Sequence, residues 1–137
     1  MRTTIVLTFL LFVSTFSFSQ SEMNKQIIGK WTVEGVICTT EMEALKNQLE
    51  AQEKTYNDAY KNSVWVFNKE GSIEITLPKS EASPGGKSSG QFQIQGEKVL
   101  MEVNNQYGEY EMKFEDGQMV LINSSPLNTI YYVFIKQ

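Results

Sequence analysis

Regular alternation of apolar and polar residues in the second half of the chain limits its fold more than any other feature. From residue 63 to residue 136, short stretches with every second residue apolar are separated by turns rich in Gly, Asn and Asp. Such alternation is typical of strands with one buried face. Because a parallel crossover needs about a dozen residues or more, connections this short join antiparallel neighbours. The sequence therefore predicts an all-β antiparallel meander.

The turns between these stretches locate individual hairpins. Asp116-Gly117 is among the strongest two-residue hairpin signals, and Gly96-Glu97 and Asn104-Asn105-Gln106 predict two further tight connections. The range from Pro78 to Gly90 is instead rich in Gly and Ser, which predicts a polar flexible loop. About eight strands result, counted from Trp31 to Lys136.

The first strand is predicted from Trp31 to Ile37. Its alternating residues are expected to face inward, and they are Trp31, Val33, Gly35 and Ile37. Because neither end of the meander shows obvious edge protection, closing the sheet is the simplest way to satisfy the edge hydrogen bonds. We therefore expect an up-and-down barrel of about eight antiparallel strands.

A helix is predicted between the first and second strands. Thr40-Glu41-Met42-Glu43 has the spacing of a capping box, so the helix should begin at Thr40 and run to about Lys61. Its apolar stripe is narrow and consists of Met42, Leu45, Leu49 and Tyr56. A narrow stripe suits a helix that packs on the edge, wall or mouth of a sheet.

Residues 1–19 have the three parts of a secretory signal peptide. Arg2 is followed by an apolar run from Ile5 to Val13 and by small residues before Gln20. We therefore expect cleavage after residue 19, a single domain over residues 20–137, and a secreted or periplasmic location. Loss of Arg2 would take the formal net charge from −4 to −5.

Composition narrows the possible functions. Acidic residues number 16 against 12 basic ones, which argues against nucleic acid as a partner. Without histidine, the chain lacks the commonest general base and zinc ligand, so we expect no enzyme activity, no metal and no cofactor. Cys38 is the single cysteine and is interpreted as a small buried hydrophobe rather than a reactive thiol. Glu109 and Glu111 share one strand face and are expected on a solvated outer wall.

Four segments in order along the chain resemble the bacterial lipocalin-like domain proteins, within the calycin group of barrels. They are Ile28-Gly29-Lys30-Trp31, Trp65-Val66-Phe67-Asn68-Lys69-Glu70-Gly71-Ser72, Gly90-Gln91-Phe92-Gln93-Ile94-Gln95-Gly96 and Tyr131-Tyr132-Val133-Phe134-Ile135-Lys136. The resemblance implies a barrel with Trp31 closing one end, Gly29 beside it, and a cation from the last strand over the indole. Lys136 holds that last position, where the family usually has arginine.

The family resemblance also implies a small hydrophobic ligand inside the barrel. An eight-stranded barrel either fills with its own side chains or holds one small ligand. The bulky side chains expected on the inward faces of the strands favour a filled interior. Methionine side chains, which adapt their shape, and a tyrosine hydroxyl favour a bound ligand. The candidate ligand-binding residues are Tyr56, Tyr60, Trp65, Phe92, Met101, Tyr110 and Met112.

The leading hypothesis is thus an exported monomer that binds a small, mainly apolar molecule. The alternative is a solid barrel that acts as an inhibitor or envelope accessory protein. In that case a protein partner would contact the 79–89 loop or the helix surface.

Overall fold

The computed structural model describes residues 25–79, 81 and 84–137, so the predicted leader at 1–19 lies outside the described residues. The eight strands and the helix α1 follow one another along the chain. Their bounds are β1 Gly29–Thr39, α1 Lys46–Tyr60, β2 Val64–Phe67, β3 Ser72–Leu77, β4 Gly86–Gln95, β5 Lys98–Val103, β6 Gln106–Glu115, β7 Gln118–Ser124 and β8 Thr129–Lys136.

The sheet closes on itself. Each strand pairs antiparallel with the next, and β8 returns to pair antiparallel with β1. Asn104 and Asn105 both have positive φ angles, of 54° and 63°, and Asp116 and Gly117 have φ angles of 51° and 79°. These are the backbone conformations that tight hairpin turns between right-twisted strands require. The predicted eight-stranded antiparallel up-and-down barrel with a helix after strand 1 is confirmed.

The two ends of the barrel differ in what covers them. Residues 25–28, the turns at 68–71, 96–97 and 116–117, and the end of β8 lie at one end, which we call the closed end. The helix connection, the 78–85 and 104–105 turns and residues 125–128 lie at the other, which we call the open end.

Trp31 fills the closed end. Its side chain is only 3% exposed, and its Nε1 donates a hydrogen bond to the Ile27 carbonyl at 2.8 Å. Lys136 Nζ lies 5.4 Å from the centroid of the indole ring. A Cβ atom at Gly29 would come within 3.2 Å of Lys136 Cε, so the small residue there leaves room for the lysine.

The alternation of β1 changes phase halfway along the strand. A β-bulge between Val33 and Gly35 inserts one extra residue opposite β8. Because one extra residue inverts the facing of all that follow, Val36 and Cys38 are buried and Ile37 is 49% exposed. The prediction that Gly35 and Ile37 face inward was therefore wrong, whereas the interpretation of Cys38 as a buried residue agrees with the structure.

The helix begins later than predicted. A single 3₁₀ turn, Glu43–Leu45, precedes α1. The Thr40 hydroxyl accepts from the Met42 N–H at 3.1 Å and donates to the Leu127 carbonyl at 2.7 Å, while Glu43 pairs with Lys46 at 2.8 Å. The capping box is thus not formed, because both of its side chains have other partners. Among the described residues, no helix is long and apolar enough to cross a membrane.

The flexible loop predicted from Pro78 to Gly90 extends too far toward the C-terminus. Residues 86–90 belong to β4 and pair with β3, with Gly86 opposite Leu77 and Gly90 opposite Ile73. Ladder pairing uses the backbone alone, so the Gly and Ser composition of this segment does not prevent it. The polar connection is therefore confined to residues 78–85.

Candidate functional site

Half of β1 has a neighbouring strand on one side only. β2 pairs with β1 at residues 29–32 and no further, whereas β1 continues to Thr39 along β8. The free edge of β1 is covered by α1 and the residues that follow it. Val33 exchanges backbone hydrogen bonds with Asn62 and Ser63, each at 2.9 Å.

Side chains of α1 continue this pairing in place of a strand. Asn57 Oδ1 accepts from the Val36 N–H at 2.9 Å, and Asn57 Nδ2 donates to the Val36 carbonyl at 2.8 Å. Glu53 Oε2 accepts from the Cys38 N–H at 2.9 Å. The helix is thereby fixed in orientation beside the open end, and its inner face turns Tyr56 and Tyr60 toward the core.

An aromatic cluster lies under the end of α1. The rings of Tyr56 and Tyr60 stack with centroids 6.1 Å apart, and Tyr60 meets Tyr132 edge to face at 5.9 Å. Tyr110 meets the same Tyr132 ring at 5.9 Å, and Trp65 lies 6.4 Å from it. Tyr132 is therefore the centre of the cluster.

A cavity of about 230 Å³ opens between this cluster and the strand ends at the open end. It is smaller than the range of about 300–1,000 Å³ that is usual for ligand sites. Among the residues that the structure describes, the lining has apolar, hydroxyl and amide side chains and no charged one. The lining residues are Tyr60, Trp65, Ile75, Leu77, Ser88, Met101, Val103, Asn104, Gln106, Tyr107, Gly108 and Tyr110.

Four of the predicted ligand-binding residues line this cavity, namely Tyr60, Trp65, Met101 and Tyr110. Tyr56 lies behind Tyr60 in the aromatic stack. Met112 is buried in the closed half of the barrel, where its N–H donates to the Glu97 carbonyl at 2.8 Å.

Phe92 is not at the open end. Its ring packs edge to face on Phe67 at 5.1 Å and borders a separate groove of about 610 Å³ outside the closed end, together with Ile28 and Lys69. The structure therefore separates Phe92 from the cavity that Tyr60, Trp65, Met101 and Tyr110 line.

Sequence reasoning missed Tyr132 and Ser88. Tyr132 shares the inward face of β8 with the buried Ile130 and Phe134, so the alternation of the closing strand is the signal that could have found it. Ser88 falls within the predicted loop from Pro78 to Gly90, and only its pairing opposite Ile75 places it on a strand beside the cavity.

Burial sets the protonation of the tyrosine cluster. Desolvation raises the pKa of Tyr60, Tyr110 and Tyr132, and the neighbouring phenol groups raise it further, most strongly for Tyr132. These phenols therefore remain neutral across the physiological range. Within the described part of the chain, none of the three hydroxyls has a hydrogen-bond partner. The cluster thus offers three donors that no described residue accepts from.

No protein-family model matches the chain, and no curated protein sequence does. Solved structures do match. A lipocalin-like protein from Bacteroides uniformis ATCC 8492 superimposes with a TM-score of 0.52 and 10% sequence identity, covering 82% of this chain and 99% of its own. An uncharacterized protein from Bacteroides eggerthii DSM 20697 gives a TM-score of 0.51 at 10% identity, covering 81% and 99%. The fold of this chain is therefore that of a lipocalin-like barrel.

Proposed function

We propose that this protein is exported and binds a small, mainly apolar molecule in the cavity at the open end, without catalysing a reaction on it. The observation that carries the proposal is the cavity of about 230 Å³ beneath the end of α1, lined by Trp65, Met101 and Tyr110. Small-molecule sites are concave and combine apolar walls with polar groups that fix the orientation of the ligand. This cavity has both, with Trp65 and Met101 beside hydroxyl and amide side chains. The lipocalin-like fold is compatible with such a role.

The size of the cavity limits the ligand. Ser63 and Tyr132 are buried and do not line the cavity, and Met112, Met119 and Leu121 are buried within the barrel. The protein's own side chains therefore occupy most of the interior, and a ligand reaches only its upper part. We expect a molecule of about eight to ten carbon atoms, since a cavity of about 230 Å³ holds only a small body.

The two tryptophans of the chain provide a direct test, because Trp65 lines the cavity and Trp31 fills the opposite end. Octan-2-one, octanoate and octylamine are titrated separately into protein purified without detergent, and tryptophan emission and native mass spectra are recorded. We expect a saturable emission change and a one-to-one complex with at least one probe. In the matched variant Trp65→Phe the emission change should disappear, since Trp31 is remote from the cavity.

The proposal fails if none of the three probes changes the emission or forms a complex. It also fails if Trp65→Phe retains the full emission change, because the probe would then bind near Trp31.

Export is tested on the same protein. Intact mass and N-terminal sequencing of material recovered from the periplasm or culture medium should give a chain that begins at Gln20, as the leader pattern predicts. Recovery of the full chain with residues 1–19 from the cytoplasm alone would contradict export.

A further inference from the structure

We propose that the cavity selects an uncharged ligand that carries a hydrogen-bond acceptor, such as the oxygen of a ketone or ester, and that the hydroxyls of Tyr110 and Tyr132 receive this oxygen. The inference rests on the proposed function and narrows the class of ligand. Two independent observations carry it. The first is that the phenol donors have no partner among the described residues, and the second is that no described residue of the lining is charged.

The first observation concerns hydrogen bonding. Tyr132 is only 8% exposed, yet its hydroxyl has no partner among the described residues. A buried hydroxyl without a partner costs about 1–3 kcal/mol, and nearly all such groups in proteins are satisfied by protein, water or ligand. Tyr132 does not line the cavity itself, so an acceptor on a bound molecule would satisfy this donor by entering past Tyr110, whose ring packs on Tyr132.

Tyr110 connects that buried group to the cavity. A Cβ atom at Gly108 would lie 3.0 Å from the Tyr110 hydroxyl, and both residues belong to the lining. The Tyr110 hydroxyl is therefore at the cavity wall, while the ring of Tyr110 packs on Tyr132 at 5.9 Å. The oxygen of a ligand that enters beside Gly108 would therefore contact the Tyr110 hydroxyl first. The buried tyrosine cluster lies behind Tyr110.

The second observation concerns charge. All the polar side chains of the lining are neutral, and they are Tyr60, Ser88, Asn104, Gln106, Tyr107 and Tyr110. A carboxylate or an ammonium group that entered the cavity would lose its hydration and would find no side chain of opposite charge in the lining. This loss is far more costly than burying a neutral oxygen. The raised pKa values of Tyr110 and Tyr132 have the same cause, since burial there disfavours any negative charge.

The three eight-carbon probes separate these possibilities, because they differ chiefly in the head group. We expect octan-2-one to bind at least about tenfold more tightly than octanoate and octylamine, measured by Trp65 emission at pH 7. Equal or tighter binding of either charged probe overturns the inference and leaves the proposed function standing. Binding of none removes the proposed function, and the inference falls with it.

Hydroxyl-deletion variants locate the donor. Tyr110→Phe and Tyr132→Phe keep the aromatic packing and remove one oxygen each, so each should weaken octan-2-one binding about fivefold. Tyr131→Phe is the matched control, since Tyr131 points away from the barrel interior on the same strand as Tyr132. Its affinity should match that of the unmodified protein.

Thermal unfolding verifies that all three variants fold. Unchanged affinity for octan-2-one in both Tyr110→Phe and Tyr132→Phe overturns the inference, as does an equal loss in Tyr131→Phe.

Discussion

The side-chain amide of Asn57 binds both backbone groups of Val36, accepting from the N–H at 2.9 Å and donating to the carbonyl at 2.8 Å. An amide side chain has the same donor and acceptor as a peptide unit, so Asn57 takes the place of a residue on a neighbouring strand. Val36 lies three residues beyond the last backbone contact of β1 with the segment after α1, at Val33. The helix is thereby held against an edge that would otherwise be unpaired.

Replacing Asn57 by alanine should destabilise the protein by about 2 kcal/mol, because two backbone groups of Val36 lose their partner at a partly buried edge. Urea unfolding measures this change, and faster hydrogen exchange at the Val36 amide should accompany it. Asp58→Ala is the matched control on the same helix, since Asp58 is exposed, and it should change stability by less than about 0.5 kcal/mol. Equal effects of the two substitutions would contradict the role of Asn57.

Trp31→Ala should cost about 3–5 kcal/mol, since it removes a buried indole that fills the closed end. Lys136→Met should cost no more than about 1 kcal/mol, because the lysine is exposed and its contact with the ring is 5.4 Å from the centroid. Chemical denaturation of both variants measures which substitution lowers the free energy of unfolding more. A larger loss in Lys136→Met than in Trp31→Ala would show that the cation, and not the indole, stabilises this end.

Tyr132→Phe should leave the stability of the ligand-free protein unchanged or raise it by up to about 1 kcal/mol. The substitution removes a buried hydroxyl that has no partner among the described residues and keeps the ring contacts with Tyr60 and Tyr110. Thermal and urea unfolding provide the measurement. A loss of more than about 1 kcal/mol would mean that the hydroxyl has a stabilising partner without ligand.

Alkaline pH should destabilise the fold. Burial raises the pKa of Tyr60, Tyr110 and Tyr132 above the usual value of about 10, so the unfolded chain loses these protons first. The contribution of these tyrosines to the free energy of unfolding is complete below pH ~10. Above that pH, the free energy of unfolding should fall by up to about 1.4 kcal/mol per pH unit for each tyrosine. Urea unfolding at pH 8, 10.5 and 11.5 measures the slope, which should be smaller in Tyr132→Phe. An equal slope in the two proteins would contradict this assignment.

Gly90→Ala should destabilise the barrel by about 3 kcal/mol or more. A Cβ atom at this position would lie 1.9 Å from the Glu102 carbonyl oxygen, so β4 and β5 would have to separate locally. Circular dichroism during thermal unfolding measures the loss. Ser89→Ala, at the exposed neighbouring position, is the control and should be nearly neutral.

Local pattern was sufficient for much of the architecture. The hairpins at Asn104-Asn105 and Asp116-Gly117, the inward rows of β5 and β6, and the count of eight strands follow from residues within a few positions of one another. Tyr60, Trp65, Met101 and Tyr110 could be chosen as candidates for the same reason, because each is apolar or amphipathic and falls on an inward position or at the helix end. The predicted candidates nevertheless include Phe92 and Met112, which the structure places away from the cavity.

What the sequence by itself determined was thus the set of strands and their antiparallel order, since alternation and turn chemistry are local properties. Only the tertiary structure decided the bulge after Val33, the start of α1 at Lys46, and the gathering of Tyr60, Tyr110 and Tyr132 from three distant segments. The bulge depends on how β1 meets β8 across the closure of the barrel, and the helix start depends on a partner at Leu127. Contacts between residues far apart in the chain set these features, and no local pattern encodes them.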